Sequence, residues 1–444
     1  MGSATSITRE LRIADGPLVV TETDELVVAR GVRYGRAERF RPAVAVEPWT
    51  EPVDTTRPGP SCPQVPNLLE HMMGVVLAGL DTSEDCLVLS VHAPREAAGL
   101  PVMVYLHGGA YVTGSGESSR YQPVRLAAEG DVVAVTVSYR VGIFGYLTPT
   151  REGEETNLGL RDQLLALQWV ARNIASFGGD PDDVTLFGQS AGGDSVVSLL
   201  LSEPARGLFR RVVLQSAPLG MRRGRAALHR AVRDAADEAL RDRPADLSAD
   251  ELLEIQERAA SVGRKFGWTG GMPLGFHYGE FPLPAEDEEA AVVARRAPEV
   301  ELLLLHTHDD ALPFVQIDPV YGRLRRLGPL GRLILTGVSK IATARLFDRP
   351  ARRMAKGWRA AGGTAGHYRL DWRPGHTEFG SPHCIELPFL FGEDADWADA
   401  PMLGEYAGHL DERLPIGREL RAAWARFAHD GTMPAATSYL HRMS

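Results

Sequence analysis

A serine lies between small residues at the junction of two apolar runs. The stretch VTLFGQSAGGDSVVSLLL, residues 184–201, contains Gly188-Gln189-Ser190-Ala191-Gly192, which fits the pattern G-x-S-x-G. We expect a strand before this serine and a helix after it, because a nucleophile elbow needs small neighbours where a strained turn brings strand and helix close together. The pattern predicts Ser190 as a nucleophile, and the alternative is an ordinary Gly/Ser turn.

A serine hydroxyl is a weak nucleophile at neutral pH, so the prediction requires an oxyanion hole, a base and an orienting acid. The run VYLHGGAYVTGSG ends in His107-Gly108-Gly109-Ala110, where glycines let backbone N–H groups face a substrate oxygen. The N–H groups of Gly108 and Gly109, with that of Ala191 after the serine, are the predicted oxyanion hole. The alternative is a glycine-rich turn beside a packed histidine.

The base and the acid are harder to choose from residue types. The chain has 13 histidines, and in this arrangement the nucleophile comes first, the acid second and the histidine last. The histidines late enough in the chain are His367, His376, His383, His409, His429 and His441. Asp309 and Asp310 follow the apolar run ELLLLH and are candidates for the acid, although an acidic pair at a strand end is often only solvated.

The elements that must position these residues form an alternating series. The short β-branched and apolar runs CLVLSVHAP, PVMVYLHGG, DVVAVTVSYR, DDVTLFGQS and RRVVLQSA predict strands covered on both faces. An amphipathic helix is predicted over Leu160–Phe177, so that strand, helix and strand make a right-handed parallel crossover. Asp15-Gly16 marks a hairpin, which predicts a small antiparallel sheet at the N-terminus.

The rest of the chain predicts helices between further strands. Residues 220–298 read as a helical insertion over the sheet, with Ser248 as an N-cap and Glu251 completing a capping box. EVELLLLHTHDD and AGHYRLDW predict strands, a helix is expected near Ala351–Ala361, and the helix GRELRAAWARFAHDG precedes an irregular tail. The absence of repeats and linkers predicts one domain over residues 1–444.

Composition limits the partners. The formal net charge of −10 and the pI of about 5.8 argue against nucleic-acid binding, which needs a basic surface. The N-terminal residues lack the pattern of a secretory signal, and no apolar run is long enough to span a bilayer, so we expect a cytoplasmic protein. Three cysteines are too few and too irregularly spaced for a zinc site or a disulfide scaffold.

The chain resembles the type-B carboxylesterases of the α/β-hydrolase fold, which include para-nitrobenzyl esterases and cholinesterases. The blocks that carry the resemblance occur in the family's order: FRPAVAVEPW, SEDCLVLSVHAP, VMVYLHGGAYVTGSG, VTVSYRVGIFGYL, NLGLRDQLLALQWVARNIASFGGDPDDVTLFGQSAGGDSV, VVLQSA and HCIELPFLFG. The resemblance implies a central, mostly parallel sheet with helices on both faces. It also implies a serine carboxylesterase that acts through an acyl-enzyme on a small-molecule ester, with no metal or organic cofactor.

Several residue roles are implied by the resemblance alone. The family's catalytic histidine opens a motif that His383 opens here, and its acid position falls on Asp310, where the family usually has glutamate, so Asp310 is preferred over Asp309. Cys62 and Cys86 match a disulfide pair of many relatives, although a reducing cytoplasm would keep them as thiols. Gln189 stands where many relatives have glutamate. Carbamates, amides or lactones are alternative substrates, and a non-catalytic binding protein on the same fold is a further alternative.

Overall fold

The computed structural model describes residues 6–150, 155–243, 246–318, 322–375, 377–404 and 410–443. Its main feature is a 12-stranded mixed sheet in the order β1-β2-β3-β7-β9-β8-β10-β11-β12-β13-β14, with β6 paired to β2. A separate two-stranded sheet joins β4 to β5. The strands are β1 (Ile7–Arg12), β2 (Pro17–Glu22), β3 (Leu26–Arg33), β4 (Gly35–Arg36), β5 (Val44–Ala45), β6 (Val53–Asp54), β7 (Val88–Pro94), β8 (Leu100–Leu106), β9 (Val133–Val137), β10 (Gly179–Gln189), β11 (Arg211–Gln215), β12 (Glu301–Thr307), β13 (Ala365–Leu370) and β14 (Leu440–Arg442).

The middle of the sheet is parallel and is covered by helices on both faces. Strands β9, β8, β10, β11, β12 and β13 pair in parallel. The helices are α1 (Glu70–Met73), α2 (Val124–Gly130), α3 (Gly142–Gly145), α4 (Leu158–Asn173), α5 (Ala191–Leu201), α6 (Ala226–Leu240), α7 (Ala249–Ser261), α8 (Glu289–Arg296), α9 (Leu312–Ile317), α10 (Gly328–Thr343), α11 (Arg349–Ala360), α12 (Leu387–Leu390) and α13 (Leu410–Asp430).

Alternate residues of the central strands feed two different cores. In β8, Val102 and Val104 belong to a core shared with α4 to α8 and α11, whereas Met103 and Tyr105 belong to a core shared with α2 and α13. Successive side chains of a strand point to opposite faces, so strands that are apolar at every position must be buried on both. The fold class expected from the sequence is confirmed.

The N-terminal strands form the predicted hairpin at Asp15-Gly16. Ile13 N–H donates to the Gly16 carbonyl at 2.9 Å and Gly16 N–H donates back to the Ile13 carbonyl at 3.2 Å. β1, β2 and β3 are antiparallel, and β3 joins them to the main sheet through β7. At the other end the expected irregular tail is wrong in part, because β14 pairs antiparallel with β13.

Most predicted helices lie close to their expected bounds. The predicted Leu160–Phe177 segment is α4 followed by a 3₁₀ turn over Ile174–Phe177. In the region of the predicted insertion, α6, α7 and α8 occur, and α7 begins at a capping box. Ser248 Oγ accepts the Glu251 N–H at 3.3 Å, and the Glu251 carboxylate accepts the Ser248 N–H at 2.9 Å.

Cys62 and Cys86 lie in the core on the α4 face and are thiols in this structure. Their side chains are hydrogen-bonded, and this contact together with burial raises the pKa of Cys86 well above its usual value. Within the described ranges, no helix combines the length and apolar character that crossing a bilayer requires.

Candidate active site

Ser190 occupies the junction of β10 and α5, where the sequence predicted it. Its backbone has φ 55° and ψ −121°, a conformation that a non-glycine residue rarely adopts. Two backbone bonds hold it: Ser190 N–H donates to the Gln215 carbonyl at 2.8 Å, and Asp194 N–H donates to the Ser190 carbonyl at 3.0 Å. The serine is therefore fixed at the positive end of α5, where developing negative charge is stabilised.

The glycines around Ser190 permit a close approach of three backbone segments. A Cβ on Gly188 would lie 2.5 Å from the carbonyl carbon of Gly192, and a Cβ on Gly192 would collide with the carbonyl of Leu106. Both contacts would be far shorter than the van der Waals distance between non-bonded atoms. The G-x-S-x-G pattern thus follows from the packing of β10, α5 and the end of β8.

The loop after β8 lies against this turn. Gly109, Ala110 and Tyr111 all have positive φ, at 121°, 53° and 66°, and a Cβ on Gly108 would lie 3.1 Å from the Ser190 Cβ. In the described part of the chain, the N–H groups of Gly108, Gly109 and Ala191 donate to no protein acceptor. Three backbone donors near one serine match what an oxyanion requires.

His107 is a packed residue that anchors the loop. Its ring is stacked on Tyr139 with centroids 4.2 Å apart, and its Nδ1 lies 2.9 Å from the Gly108 carbonyl oxygen. Burial lowers the pKa of His107 to about 4, so the ring is neutral at physiological pH. This packed histidine supports the backbone of the loop rather than the chemistry.

His383 and Asp310 meet in the interior next to the serine turn. His383 Nδ1 donates to Asp310 Oδ1 at 2.5 Å, and the two side chains are 1% and 0% exposed, respectively. The other oxygen of Asp310 accepts the Thr307 N–H at 3.0 Å and the Ser216 hydroxyl at 2.9 Å. These bonds orient the carboxylate, and its contact with His383 fixes the imidazole tautomer with a proton on Nδ1.

Asp309 has a different environment from its neighbour. It interacts with His308, with the N–H of Ser381 at 3.0 Å and with Arg373 at 3.2 Å. Partial burial raises the pKa of Asp309, but the bonds from His308 and Ser381 outweigh it, so the pKa is lowered overall. The structure therefore places Asp310, and not Asp309, against His383.

The other late histidines that the structure describes have separate contacts. His367 is hydrogen-bonded to His306, His429 to the Gly130 carbonyl, and His441 lies 3.3 Å from Asp371. His376 and His409 lie outside the described residues. Among the described candidates, the contact with a buried carboxylate next to the serine turn distinguishes His383.

Sequence reasoning left the role of Ser216 open and missed two aromatic neighbours of His383. Ser216 was as compatible with an ordinary strand end as with support of the acid, and only its distance to Asp310 separates the two. Phe314 and Phe347 pack on the His383 ring at centroid distances of 5.1 and 5.6 Å. Nothing in the sequence marks these aromatics, because they come from the segment between β12 and α11, far from His383 in the chain.

Gln189 contacts the base through its side chain. Its Nε2 lies 3.0 Å from His383 Nε2, so the amide donates to the nitrogen that is left without a proton. Its Oε1 faces the oxyanion loop, since a Cβ on Gly108 would be 2.6 Å away from it. The amide consequently lies between the loop and the imidazole, beside Ser190.

A second buried carboxyl group lies close to the acid. Glu386 is fully buried and accepts a long hydrogen bond from Gln215 Nε2 at 3.4 Å. Burial raises the pKa of Glu386 to about 8. The group is therefore mostly protonated at neutral pH.

In the described ranges, one group of side chains has the composition of a metal site. His306, Asp348 and His367 offer ligand atoms within 4.8 Å of one another. The two histidines are hydrogen-bonded at 3.0 Å, and Asp348 accepts from Arg352 at 2.8 Å. These contacts explain the group as a chain of hydrogen-bonded side chains. The positive charge of Arg352 would disfavour a bound cation at this position.

Known proteins resemble the chain along most of its length. A family model described as the carboxylesterase family matches residues 18–317. A probable N-octanoylanthranilate hydrolase, AqdA2, from Rhodococcus erythropolis is 35% identical over 95% of this chain and 92% of that protein. The para-nitrobenzyl esterase of Bacillus subtilis is 32% identical over 90% of this chain and 86% of its own.

Solved structures agree with the sequence comparison. A para-nitrobenzyl esterase structure has a TM-score of 0.78 and 28% identity, covering 98% of this chain and 93% of that one. A Geobacillus stearothermophilus carboxylesterase has a TM-score of 0.75 and 28% identity, covering 96% and 92%. The chain belongs to the type-B carboxylesterase family of the α/β-hydrolase fold, and it is a carboxylic ester hydrolase.

Proposed function

We propose that Ser190, His383 and Asp310 form the catalytic triad of this esterase. His383 Nε2 takes the hydroxyl proton as Ser190 Oγ attacks the ester carbonyl. Asp310, which accepts the Nδ1 proton, stabilises the imidazolium that forms. The observation that carries the proposal is the 2.5 Å contact between His383 and Asp310 next to a serine in a strained strand-to-helix turn.

The oxyanion is proposed to be held by the backbone N–H groups of Gly108, Gly109 and Ala191. The imidazolium protonates the leaving alcohol, and the neutral imidazole then removes a proton from water, whose oxygen attacks the acyl-enzyme. Collapse of that second intermediate returns the proton to Ser190 and releases the acid. One lost oxyanion donor costs about 10²–10³ in rate, so the loop should matter nearly as much as the triad.

The test is a series of p-nitrophenyl esters with short to long acyl chains, assayed with the wild type and Ser190→Ala. We expect the substitution to lower kcat by about 10⁵-fold or more, because no other hydroxyl stands at the turn. The matched control is Ser202→Ala, since the Ser202 hydroxyl is buried at the other end of α5 and has no partner in the described structure. An active Ser190→Ala enzyme would exclude the proposed nucleophile.

The acid is assigned by a second pair of variants. Asp310→Asn should lower kcat by about 10⁴-fold, because an amide there stabilises the wrong imidazole tautomer. Asp309→Asn changes a neighbouring carboxylate that contacts His308 and Arg373 instead, so its kcat should stay within a few-fold of the wild type. The reverse order of effects would reassign the acid.

N-acyl amides are a second candidate substrate class. The relative with 35% identity over 95% of this chain is named for hydrolysis of an N-octanoyl amide of an aromatic amine. The same nucleophile and oxyanion hole act on amides when His383 can protonate the leaving nitrogen. Assaying N-octanoylanthranilate beside an octanoyl ester compares the two classes through kcat/KM.

A further inference from the structure

The helix α10 exposes a row of large apolar side chains. Leu330, Ile334 and Ile341 are 60%, 38% and 65% exposed, and Leu327, the residue before the helix, is 54% exposed. The spacings of four and seven residues between Leu330, Ile334 and Ile341 place them on one helix face, and Leu333, 70% exposed, lies beside them. The face packed against the protein consists of Gly331, Leu335, Ser339, Ala342 and Thr343. Single exposed apolar residues are common, but a continuous row of this size marks an interaction surface.

The same segment is strongly basic. Residues 319–347 contain Arg323, Arg325, Arg326, Arg332, Lys340 and Arg345 and no aspartate or glutamate, in a chain with a net charge of −10. Arg326, Arg332, Lys340 and Arg345 are exposed. An exposed apolar row flanked by lysine and arginine is the composition of a helix that lies in the interface of an anionic membrane.

The helix is attached to the proposed active site through its C-terminal end. Ala311, next to the acid, donates its N–H to Thr343 Oγ at 3.0 Å. Phe347, shortly after the helix, packs on the His383 ring. A surface that binds α10 would therefore hold the triad close to that surface.

We propose that α10 is a docking surface for an anionic phospholipid bilayer. Its apolar row lies at the level of the acyl chains and its cations pair with lipid phosphates. A second copy of the chain fits less well, because a symmetric contact would bring the same cations together. Membrane docking goes beyond ester hydrolysis and does not require it.

The experiment measures cosedimentation with vesicles, using Ser190→Ala so that lipid is not cleaved. Vesicles are made from phosphatidylcholine alone or from equal parts of phosphatidylcholine and phosphatidylglycerol. We expect at least about tenfold tighter binding to the anionic vesicles, weakened by high salt. Adding Leu330→Glu and Ile334→Glu, or Arg332→Glu and Lys340→Glu, should abolish the difference.

The matched control is Val44→Glu, which places a charge on another apolar residue that is 65% exposed and lies in β5. It should bind as tightly as its parent, and circular dichroism checks that each variant is folded. The proposal is overturned if both vesicle types bind equally, if the control loses binding as well, or if light scattering shows a dimer that Leu330→Glu dissociates. The Ser190→Ala background separates this result from any failure of the proposed triad.

Discussion

The amide of Gln189 is hydrogen-bonded to His383 Nε2, the nitrogen that accepts the serine proton in the proposed mechanism. The ring is already held by Asp310 at Nδ1 and by T-shaped and tilted contacts with Phe314 and Phe347. The amide therefore adds little to the orientation of the ring and competes with Ser190 for one lone pair. Relatives that carry glutamate at this position would place an acceptor there instead of a donor.

We predict a different effect for each of two substitutions of Gln189. Gln189→Ala should raise kcat/KM for a small ester by about two- to tenfold, the worth of one hydrogen bond removed from the resting base. Gln189→Glu should stabilise the imidazolium, so that the acid limb of the pH–rate profile moves to higher pH. Profiles of kcat/KM against pH for the three enzymes measure both effects. A fall in activity for Gln189→Ala with an unshifted profile would mean that the amide positions the ring.

At the scale of single residues, the serine turn and the glycine-containing loop after β8 could be predicted from the sequence, because the close backbone packing around Ser190 requires small residues. Residue types could not rank the histidines, and the resemblance to a family supplied His383. The choice between Asp309 and Asp310 depends on the direction of two adjacent side chains, which local sequence does not determine. The roles of all these residues in catalysis stay predictions until the variants are assayed.

The elements differ in how far local signals determine them. The capping box of α7 and the hairpin at Asp15-Gly16 were predictable because a few neighbouring residues satisfy the backbone groups at those points. β14 was missed because its pairing with β13 joins residues that are distant in the chain. α10 was missed because Gly328, Pro329 and Gly331 resemble a turn, although proline is compatible with the first turn of a helix.

The capping box gives a prediction at the level of one helix. Ser248→Ala removes the side-chain acceptor of the Glu251 N–H and should cost about 1 kcal/mol of local stability. Hydrogen exchange in the first turn of α7 should therefore speed up by about fivefold, while kcat for an ester stays unchanged. Ser248→Asp keeps an acceptor and should restore the protection. Equal protection in all three proteins would show that tertiary packing, and not the cap, holds this end of α7.

For the whole molecule, we propose that residues 1–444 form one domain. One sheet includes strands from Ile7–Arg12 to Leu440–Arg442, so strands from both ends of the described chain belong to the same sheet. The large sheet depends on pairings between strands that are distant in the chain, which no local pattern encodes. Helices on both faces of the sheet could be predicted from the sequence, because the central strands are apolar at every position.

Buried titratable groups predict how the stability of the molecule depends on pH. Burial lowers the pKa of His92 to about 3, that of His107 to about 4 and that of His367 to about 3, against 6.5 for the free side chain. The unfolded chain binds these protons below pH 6.5 and the folded protein does not, so stability falls from there towards pH 4. Glu386 acts oppositely, because the folded protein keeps a proton up to about pH 8 that the unfolded chain releases above about 4.5.

We therefore expect the free energy of unfolding to be largest near pH 6.5. Each group changes it by about 1.4 kcal/mol for each pH unit inside its interval. Urea unfolding between pH 4.5 and 8.5 measures the curve. Glu386→Gln should flatten its alkaline side and steepen its acid side, because the opposing slope of Glu386 extends from about pH 4.5 to about pH 8. A wild-type curve that is flat between pH 5 and 6.5 would contradict the assignment of neutral buried histidines.

The segment between Asp310 and Phe347 begins at the proposed acid and ends against the ring of His383, the proposed base. Its first turn is tied back by the bond from Ala311 to Thr343, so the loop is closed on itself before it rejoins the sheet. Because its two ends are held together, the segment between them can be replaced as one unit. Replacing residues 315–342 with the corresponding segment of a relative would keep Phe314 against His383 and would leave Ser190, His383 and Asp310 unchanged. The segment is therefore a practical site for attempts to alter substrate range.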